Sequence, residues 1–247
     1  MLIVGNWKAY VERTEDAKKL VAAAKRTAAR SRTKIVLAPP APFVALLAGN
    51  KRSKIAFAGQ DVSDTVAPAA TGEVSGAMLR ASGATYVIIG HSERRARGET
   101  DAVIAEKAKR AVANGLTPIL CVGEEARDPD ARYLALVRKQ LSTVFEALLP
   151  RDRLSVIVAY EPVWAIGKRS DDAIRSSDLA EMVLYIRKVL ADYLPGKNAS
   201  KATVIYGGSV DPSNIRELAG GSGVDGFLPG RASTDPATFA ALVKAVS

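Results

Sequence analysis

Lys8, His91 and Glu161 each stand at the end of an apolar run, a place where a purely structural strand needs no charge. A carboxylate, an imidazole and an ammonium brought to one pocket can move a proton between carbons that flank a carbonyl. One group takes the proton, one donates to the carbonyl oxygen, and one holds the charge of the developing enediolate. Glu161 follows Val156-Ile157-Val158-Ala159-Tyr160, and loss of water there would strengthen a carboxylate as a base. His91 precedes Ser92-Glu93-Arg94-Arg95, a segment able to open a short helix whose first amides disfavour the imidazolium and keep the ring neutral. Lys8 offers fixed charge for an oxyanion or a phosphate, and Asn6 can orient Lys8 and donate to a substrate. Each residue alone also has a plainer use. A glutamate ends strands in salt bridges, a histidine satisfies a buried hydrogen bond, a lysine is solvated, and an asparagine closes turns.

Two glycine-bearing segments near the C-terminus add a grip for an anion. Tyr206-Gly207-Gly208-Ser209-Val210 and Leu228-Pro229-Gly230-Arg231-Ala232-Ser233 both follow apolar runs. Glycines let backbone amides approach a phosphate, and a following helix end adds its dipole. Directly after Glu161, Pro162-Val163-Trp164-Ala165-Ile166-Gly167 brackets an apolar tip with Pro and Gly. Such a segment suits a lid that sheds water from a reacting site, and it suits an ordinary packed loop equally well.

These residues need a scaffold that collects strand ends. Apolar, mostly β-branched runs recur at 2–7, 34–38, 54–60, 85–90, 117–122, 155–160, 202–207 and 224–228. Continuous rather than alternating hydrophobicity predicts strands covered on both faces, as in a parallel sheet. Helical spacing fills 14–30, 101–113, 131–148, 177–193 and 236–246, with Thr14 offering capping chemistry to the first and shorter helical pieces after the second, third and seventh strands. The first turn, Gly5-Asn6-Trp7-Lys8, lacks the G-x-G-x-x-G that an open dinucleotide-binding sheet would place there. The expectation is an α/β fold, a single (β/α)8 TIM barrel over 1–247, with its site at the C-terminal ends of the strands.

Composition bounds the rest. A 48% hydrophobic and 25% charged chain of 247 residues excludes disordered and fibrous classes. The balance of 35 Lys and Arg against 26 Asp and Glu, +9 overall, favours anionic ligands. The basic residues are spread through helices such as 13–32 and 107–110, without a block interleaved with aromatics. Most are therefore expected on solvated helix faces, with no nucleic acid as partner. One cysteine, Cys121, forbids an intrachain disulfide, and one histidine argues against a His-based zinc site. The apolar start meets Lys8 too early for a signal peptide, and no run approaches a membrane span. A cytoplasmic enzyme without a membrane partner is expected.

The same residues carry a specific resemblance. Gly5-Asn6-Trp7-Lys8, Thr71-Gly72-Glu73-Val74-Ser75, Tyr86-Val87-Ile88-Ile89-Gly90-His91-Ser92-Glu93-Arg94-Arg95, Cys121-Val122-Gly123-Glu124, Ala159-Tyr160-Glu161-Pro162-Val163-Trp164-Ala165-Ile166-Gly167 and Tyr206-Gly207-Gly208-Ser209-Val210 stand in order from end to end of the chain. Together they resemble the triosephosphate isomerase family. The resemblance implies interconversion of dihydroxyacetone phosphate and D-glyceraldehyde 3-phosphate in glycolysis and gluconeogenesis, with no cofactor and no metal. It implies Glu161 as base, His91 as neutral electrophile and shuttle, and Lys8 with Asn6 as electrostatic partners. Ser92 and Glu93 support them, and the amides of Gly167, Ser209, Gly230 and Arg231 hold the phosphate. It also implies a homodimer in which Thr71 reaches a neighbouring subunit's Asn6 and Lys8.

Two segments depart from the family pattern. Lys168-Arg169-Ser170 stands where Thr-Gly-Lys is usual, which predicts altered lid opening with the chemistry kept. Pro229-Gly230-Arg231 stands where Val-Gly-Gly is common. If Arg231 required a positive φ the cost would be on the order of 1 kcal/mol, but its amide remains and phosphate binding should survive. An aldose–ketose isomerase of amino-acid biosynthesis would share the barrel and phosphate loops, though not the trio of Lys8, His91 and Glu161. An inactive barrel that binds triose phosphate or a protein is the reading from another class, since fold alone does not set function.

Overall fold

Aliphatic residues fill all eight apolar runs, and in the computed structural model, which describes residues 1–49, 54–166 and 174–247, they pair as parallel strands. The strands are β1 (Leu2–Asn6), β2 (Lys34–Ala38), β3 (Ile55–Gly59), β4 (Tyr86–Ile89), β5 (Thr117–Val122), β6 (Ile157–Tyr160), β7 (Val204–Tyr206) and β8 (Gly226–Phe227). They close into a barrel in sequence order, β8 pairing back on β1 through Leu2 opposite Gly226 and Ile3 opposite Phe227. The TIM-barrel expectation holds.

Among the described residues the α-helices are α1 (Thr14–Ala29), α2 (Ala41–Leu47), α3 (Gly76–Ala81), α4 (Ser92–Arg95), α5 (Asp101–Ala113), α6 (Arg132–Ala147), α7 (Pro150–Arg153), α8 (Ser176–Leu190), α9 (Ile215–Gly221) and α10 (Pro236–Ala245). Thr14 does not cap α1: it is the first helical residue, Arg13 holds the N-cap position, and no side chain caps the end. Capping does occur where Ser, Thr or Asp precedes a helix, at Ser75, Thr100 and Asp235, each satisfying an otherwise orphaned amide.

Two apolar layers explain the continuous hydrophobic runs. Side chains alternate along a strand, so Val4, Val36, Ala58, Ile88, Ile119, Ala159 and Ile205 fill the barrel's interior. Their neighbours Ile3, Leu37, Phe57, Val87, Leu120, Val158 and Val204 pack beneath the helices. Fully burying one such aliphatic side chain is worth about 1.5–3 kcal/mol, which leaves no strand position near the middle for a polar residue.

The same period of two carries side chains past the strand ends into the barrel mouth. Val4 is followed on its inward row by Asn6, Ala58 by Gln60, and Ala159 by Glu161. His91 is out of that phase. Gly90, at φ +68°, turns the chain after β4 and makes His91 the N-cap of α4. Glycine adopts that φ at no steric cost.

One basic residue departs from the expected pattern of solvated charge. Lys107 is not on a solvated face: it is 3% exposed and bonds Asp61 at 2.7 Å, Glu99 also contacting its ammonium. Arg94 joins both acids, at 2.8 and 3.0 Å. Burial pushes the Asp61 carboxyl up against the pull of Lys107 and Arg94. At Glu99 burial is outweighed by those same two cations, which hold the carboxyl below its usual range. The cluster ties the loop after β3 to α4 and α5, so it fixes the segment that carries His91 and Glu93. No helix of the described residues is long and apolar enough to cross a membrane.

Candidate active site

The barrel mouth collects residues separated by most of the chain. A cavity of about 660 Å³ is lined by Asn6, Lys8, His91 and Glu93, by Gly207, Gly208 and Ser209, and by Gly230 and Arg231. Glu161 stands on the wall of an adjoining cavity of about 870 Å³, together with Ser92, Cys121 and Gly123. Burial and the neighbouring Glu161 charge push the Cys121 thiol well above its ordinary range, so Cys121 packs as an inert apolar group.

Glu161 is only 1% exposed. Its Oε2 accepts the Ser92 backbone N–H at 3.0 Å, while Oε1 has no hydrogen-bond partner. His91 Nε2 lies 3.4 Å from that orphaned oxygen. The other ring nitrogen, Nδ1, accepts the backbone N–H of Glu93 at 3.2 Å. A nitrogen that accepts carries a lone pair, so the ring's proton sits on Nε2, which faces Glu161 Oε1 without the alignment of a hydrogen bond. Close backbone packing holds Glu161 there. A Cβ at Gly123 would stand 1.8 Å from the Glu161 carbonyl oxygen, and one at Gly207 would stand 2.8 Å from its Cγ.

Lys8 adopts φ +46°, a left-handed conformation rare for a residue with a side chain. Asn6 Oδ1 accepts the Lys8 N–H at 3.1 Å, and Gln60 Nε2 donates to the Lys8 and Ala38 carbonyls at 2.9 Å each. Lys8 Nζ meets Glu93 Oε1 at 2.7 Å. Burial opposes ionisation of Glu93, but the hydrogen bond and charge of Lys8 prevail and hold its carboxyl below the usual range. A carboxyl depressed by folding adds stability above its unfolded value and loses it as pH falls through the folded one. Glu93→Gln should therefore lower Tm at pH 7 by only on the order of a degree, because the carboxylate is half exposed and screened. The gap should close as the pH falls from about 4. A melting-temperature difference unchanged at pH 3 would count against the pair.

The phosphate loops keep their amides available. Among the described residues no protein acceptor takes the N–H of Ser209, Gly230 or Arg231. Arg231 does not need a positive φ: it opens a single 3-10 turn, Arg231–Ser233, closed by Ser233 N–H on the Gly230 carbonyl at 2.9 Å. The strain considered from sequence does not arise. After the seventh strand the helix expected there begins only at Ile215, so Asp211-Pro212 lies in the preceding turn. Asp211 instead accepts from the backbone of Ser213 at 2.7 Å.

Not every candidate converges. Thr71 is exposed in the loop before α3 and lines neither cavity, although its neighbours Gly72 and Glu73 share a third cavity of about 400 Å³ with Asn6 and Lys8. Gly167 and Lys168-Arg169-Ser170 lie outside the described residues. Two residues given no role from sequence take part. Gln60 holds the Lys8 carbonyl, and its signal was an amide ending an apolar run. Glu124, 1% exposed, accepts from the Tyr160 hydroxyl at 2.8 Å and Trp164 Nε1 at 2.9 Å, and so anchors the first turn after Glu161. Its signal was an acid directly beyond β5.

Comparison with known proteins adds an independent finding. A family model described as Triosephosphate isomerase matches residues 1–246. The chain is 38% identical over 250 residues to "Triosephosphate isomerase" of Symbiobacterium thermophilum, covering 100% of this chain and 96% of that one. It is 41% identical over 247 residues to the protein of the same name from Moorella thermoacetica, covering 98% and 97%. For the one from Alkalilimnicola ehrlichii the identity is 44% over 217 residues, 85% of each chain.

Proposed function

The chain belongs to the triosephosphate isomerase family, and on that premise we propose how its own residues divide the work. It is an intramolecular aldose–ketose isomerase, interconverting dihydroxyacetone phosphate and D-glyceraldehyde 3-phosphate in glycolysis. Glu161 is the base, His91 the neutral electrophile and shuttle, and Lys8 the fixed charge.

The observation that carries this division is the facing of Glu161 Oε1, buried and without a partner, on His91 Nε2 at 3.4 Å. That gap cannot hold two carbon atoms and their oxygens, so the carboxylate must leave the Ser92 amide when substrate enters. Gly207, lacking a Cβ, leaves room beside its Cγ for the movement. Glu161 then removes the proton from one carbon as His91 Nε2–H protonates the carbonyl oxygen on the other. Lys8 and Asn6 stabilise the charge between them. The neutral enediol collapses as the hydroxyl of the first carbon returns a proton to His91 and Glu161 returns its proton to the second carbon. Only protons move, so the sequence of steps calls for no metal and no organic cofactor. Amides of Ser209, Gly230 and Arg231 suit the phosphate, and Gly167 joins them by motif alone.

The unit that acts is the single catalytic domain 1–247, in the cytoplasm, as a homodimer. The apolar side chains Val66 and Met78, respectively 74% and 58% exposed, lie on or beside the elements that would meet a second copy. Thr71 of that copy would reach the cavity of Asn6 and Lys8. Thr71→Arg should shift the sedimentation of the protein toward monomer and lower kcat at least about tenfold, because small misplacements of a catalytic charge are expensive. A Thr71→Arg protein that stays dimeric and fully active would refute this placement. The function itself is tested by a coupled assay with glyceraldehyde 3-phosphate in D2O. Turnover should deposit solvent deuterium on the carbon next to the product carbonyl; a folded protein without turnover would reject the assignment.

A further inference from the structure

The charges on the wall of the phosphate cavity are unequally compensated. Lys8 is paired with Glu93 at 2.7 Å. The other two acids on that wall keep their charge but are turned into local turns. Asp211 accepts from Ser213 N–H at 2.7 Å, and Asp235 accepts from the backbone and hydroxyl of Thr238 at 2.8 and 2.6 Å. Arg231 is exposed at the rim, and among the described residues no carboxylate pairs with it. Its guanidinium lies instead over the ring of Tyr10, 5.5 Å from the centroid. An aromatic face holds a guanidinium in place without neutralising it.

The geometry points to a second role for Arg231, carried by its side chain rather than its amide: it recruits the dianionic phosphate group of the substrate to the cavity mouth. Tyr10 is the positioning residue that keeps the guanidinium at the rim. This inference rests on the triose-phosphate reading of the site above. A guanidinium free of an ion-pair partner at a mouth can meet an oppositely charged ligand directly, and that attraction fades with salt. Because it acts before and during binding, its loss should appear in KM and in kcat/KM, with kcat little changed.

The test compares wild type with Arg231→Gln, Arg231→Lys, Tyr10→Leu and Tyr10→Phe across ionic strength, with inorganic phosphate as competing inhibitor. At about 0.01 M ionic strength, where charges act over roughly 30 Å, Arg231→Gln should lose about tenfold in kcat/KM and weaken phosphate inhibition by a similar factor. At about 0.5 M the loss should shrink to roughly twofold. Arg231→Lys should recover most of the salt dependence. Tyr10→Phe should match wild type, and Tyr10→Leu should fall between wild type and Arg231→Gln. Equal kcat/KM for Arg231→Gln and wild type at low salt overturns the inference. So does a loss confined to kcat or indifferent to salt, which would mark a structural role. If wild type shows no turnover at all, the isomerase reading fails on its own. Calorimetry of inorganic phosphate with wild type and Arg231→Gln then decides the recruiting role separately, equal affinities rejecting it.

Discussion

Glu161→Asp should leave the barrel folded and lower kcat by at least about a hundredfold. Removing one methylene draws the carboxylate back by roughly a bond length, and misplacements near 1 Å can cost about 10²-fold. The backbone cannot advance to compensate. The Glu161 carbonyl packs so tightly on Gly123 that a Cβ there would lie 1.8 Å away, and the Glu161 N–H is held by the Val122 carbonyl at 2.7 Å. Glu161→Gln, which cannot accept a proton, should lose about 10²–10⁴-fold, the range typical of a general base. Neither change should unfold the protein, because Glu161 Oε1 has no hydrogen-bond partner to lose and Oε2 has one, the Ser92 N–H, so at most a single bond is given up. The thermal transition of each variant should therefore stay near that of wild type while the coupled assay falls steeply. An aspartate variant that keeps near-normal kcat would remove Glu161 from the role of base, and His91 would then have to be examined as the base in its place.

Much of this site was legible because strand physics places residues in order. A parallel barrel needs runs that are apolar on both faces, so Asn6, Gln60 and Glu161 betray themselves as polar groups on an inward row just past the last buried position. Six of the eight strands are shorter than the runs that foretold them, with β8 reduced to Gly226–Phe227. Outer residues such as Trp7, Val156, Ala202, Val224 and Leu228 pack as buried loop rather than as paired strand, and hydrophobicity does not distinguish the two. Lys107 was illegible for a different reason. A lysine amid basic residues of an amphipathic helix reads as solvated, and only the tertiary approach of Asp61 and Glu99 shows it to be buried. Glu124 and the pairing of Arg231 with Tyr10 likewise depend on contacts across 36 residues or more. Such contacts leave no periodic trace in the chain. Thr71 marks the limit of one copy: its expected contact is with another chain, so neither the local pattern nor the fold of a single subunit brings it to the site.

Lys8 offers a separation of activity from stability that few residues allow. Its φ of +46° puts a β-carbon into a left-handed conformation, at a cost of about 1–2 kcal/mol for a residue other than glycine. The conformation persists because neighbours over-determine it: Asn6 takes the Lys8 N–H at 3.1 Å, Gln60 holds the Lys8 carbonyl at 2.9 Å, and Glu93 holds the ammonium at 2.7 Å. Strain maintained by so many partners beside candidate catalytic groups suggests that the lysine is kept for its charge. Lys8→Gly and Lys8→Ala should then be alike in activity and unlike in stability. Both remove the charge that steadies the enediolate, so each should lose on the order of 10²–10³ in kcat, the scale for one preorganised electrostatic group. Only glycine relieves the φ strain, and after its greater unfolded-state entropy is counted about 1 kcal/mol should remain in its favour. For a chain of this size that places the Tm of Lys8→Gly about 2–4 °C above that of Lys8→Ala. Equal melting temperatures would mean that the loop relaxes to a negative φ once the lysine is gone, and that the strain is imposed by the side chain's own contact with Glu93. Substantial activity in either variant would mean that Asn6 and His91 stabilise the enediolate without a cation, and that Lys8 serves only to position Glu93.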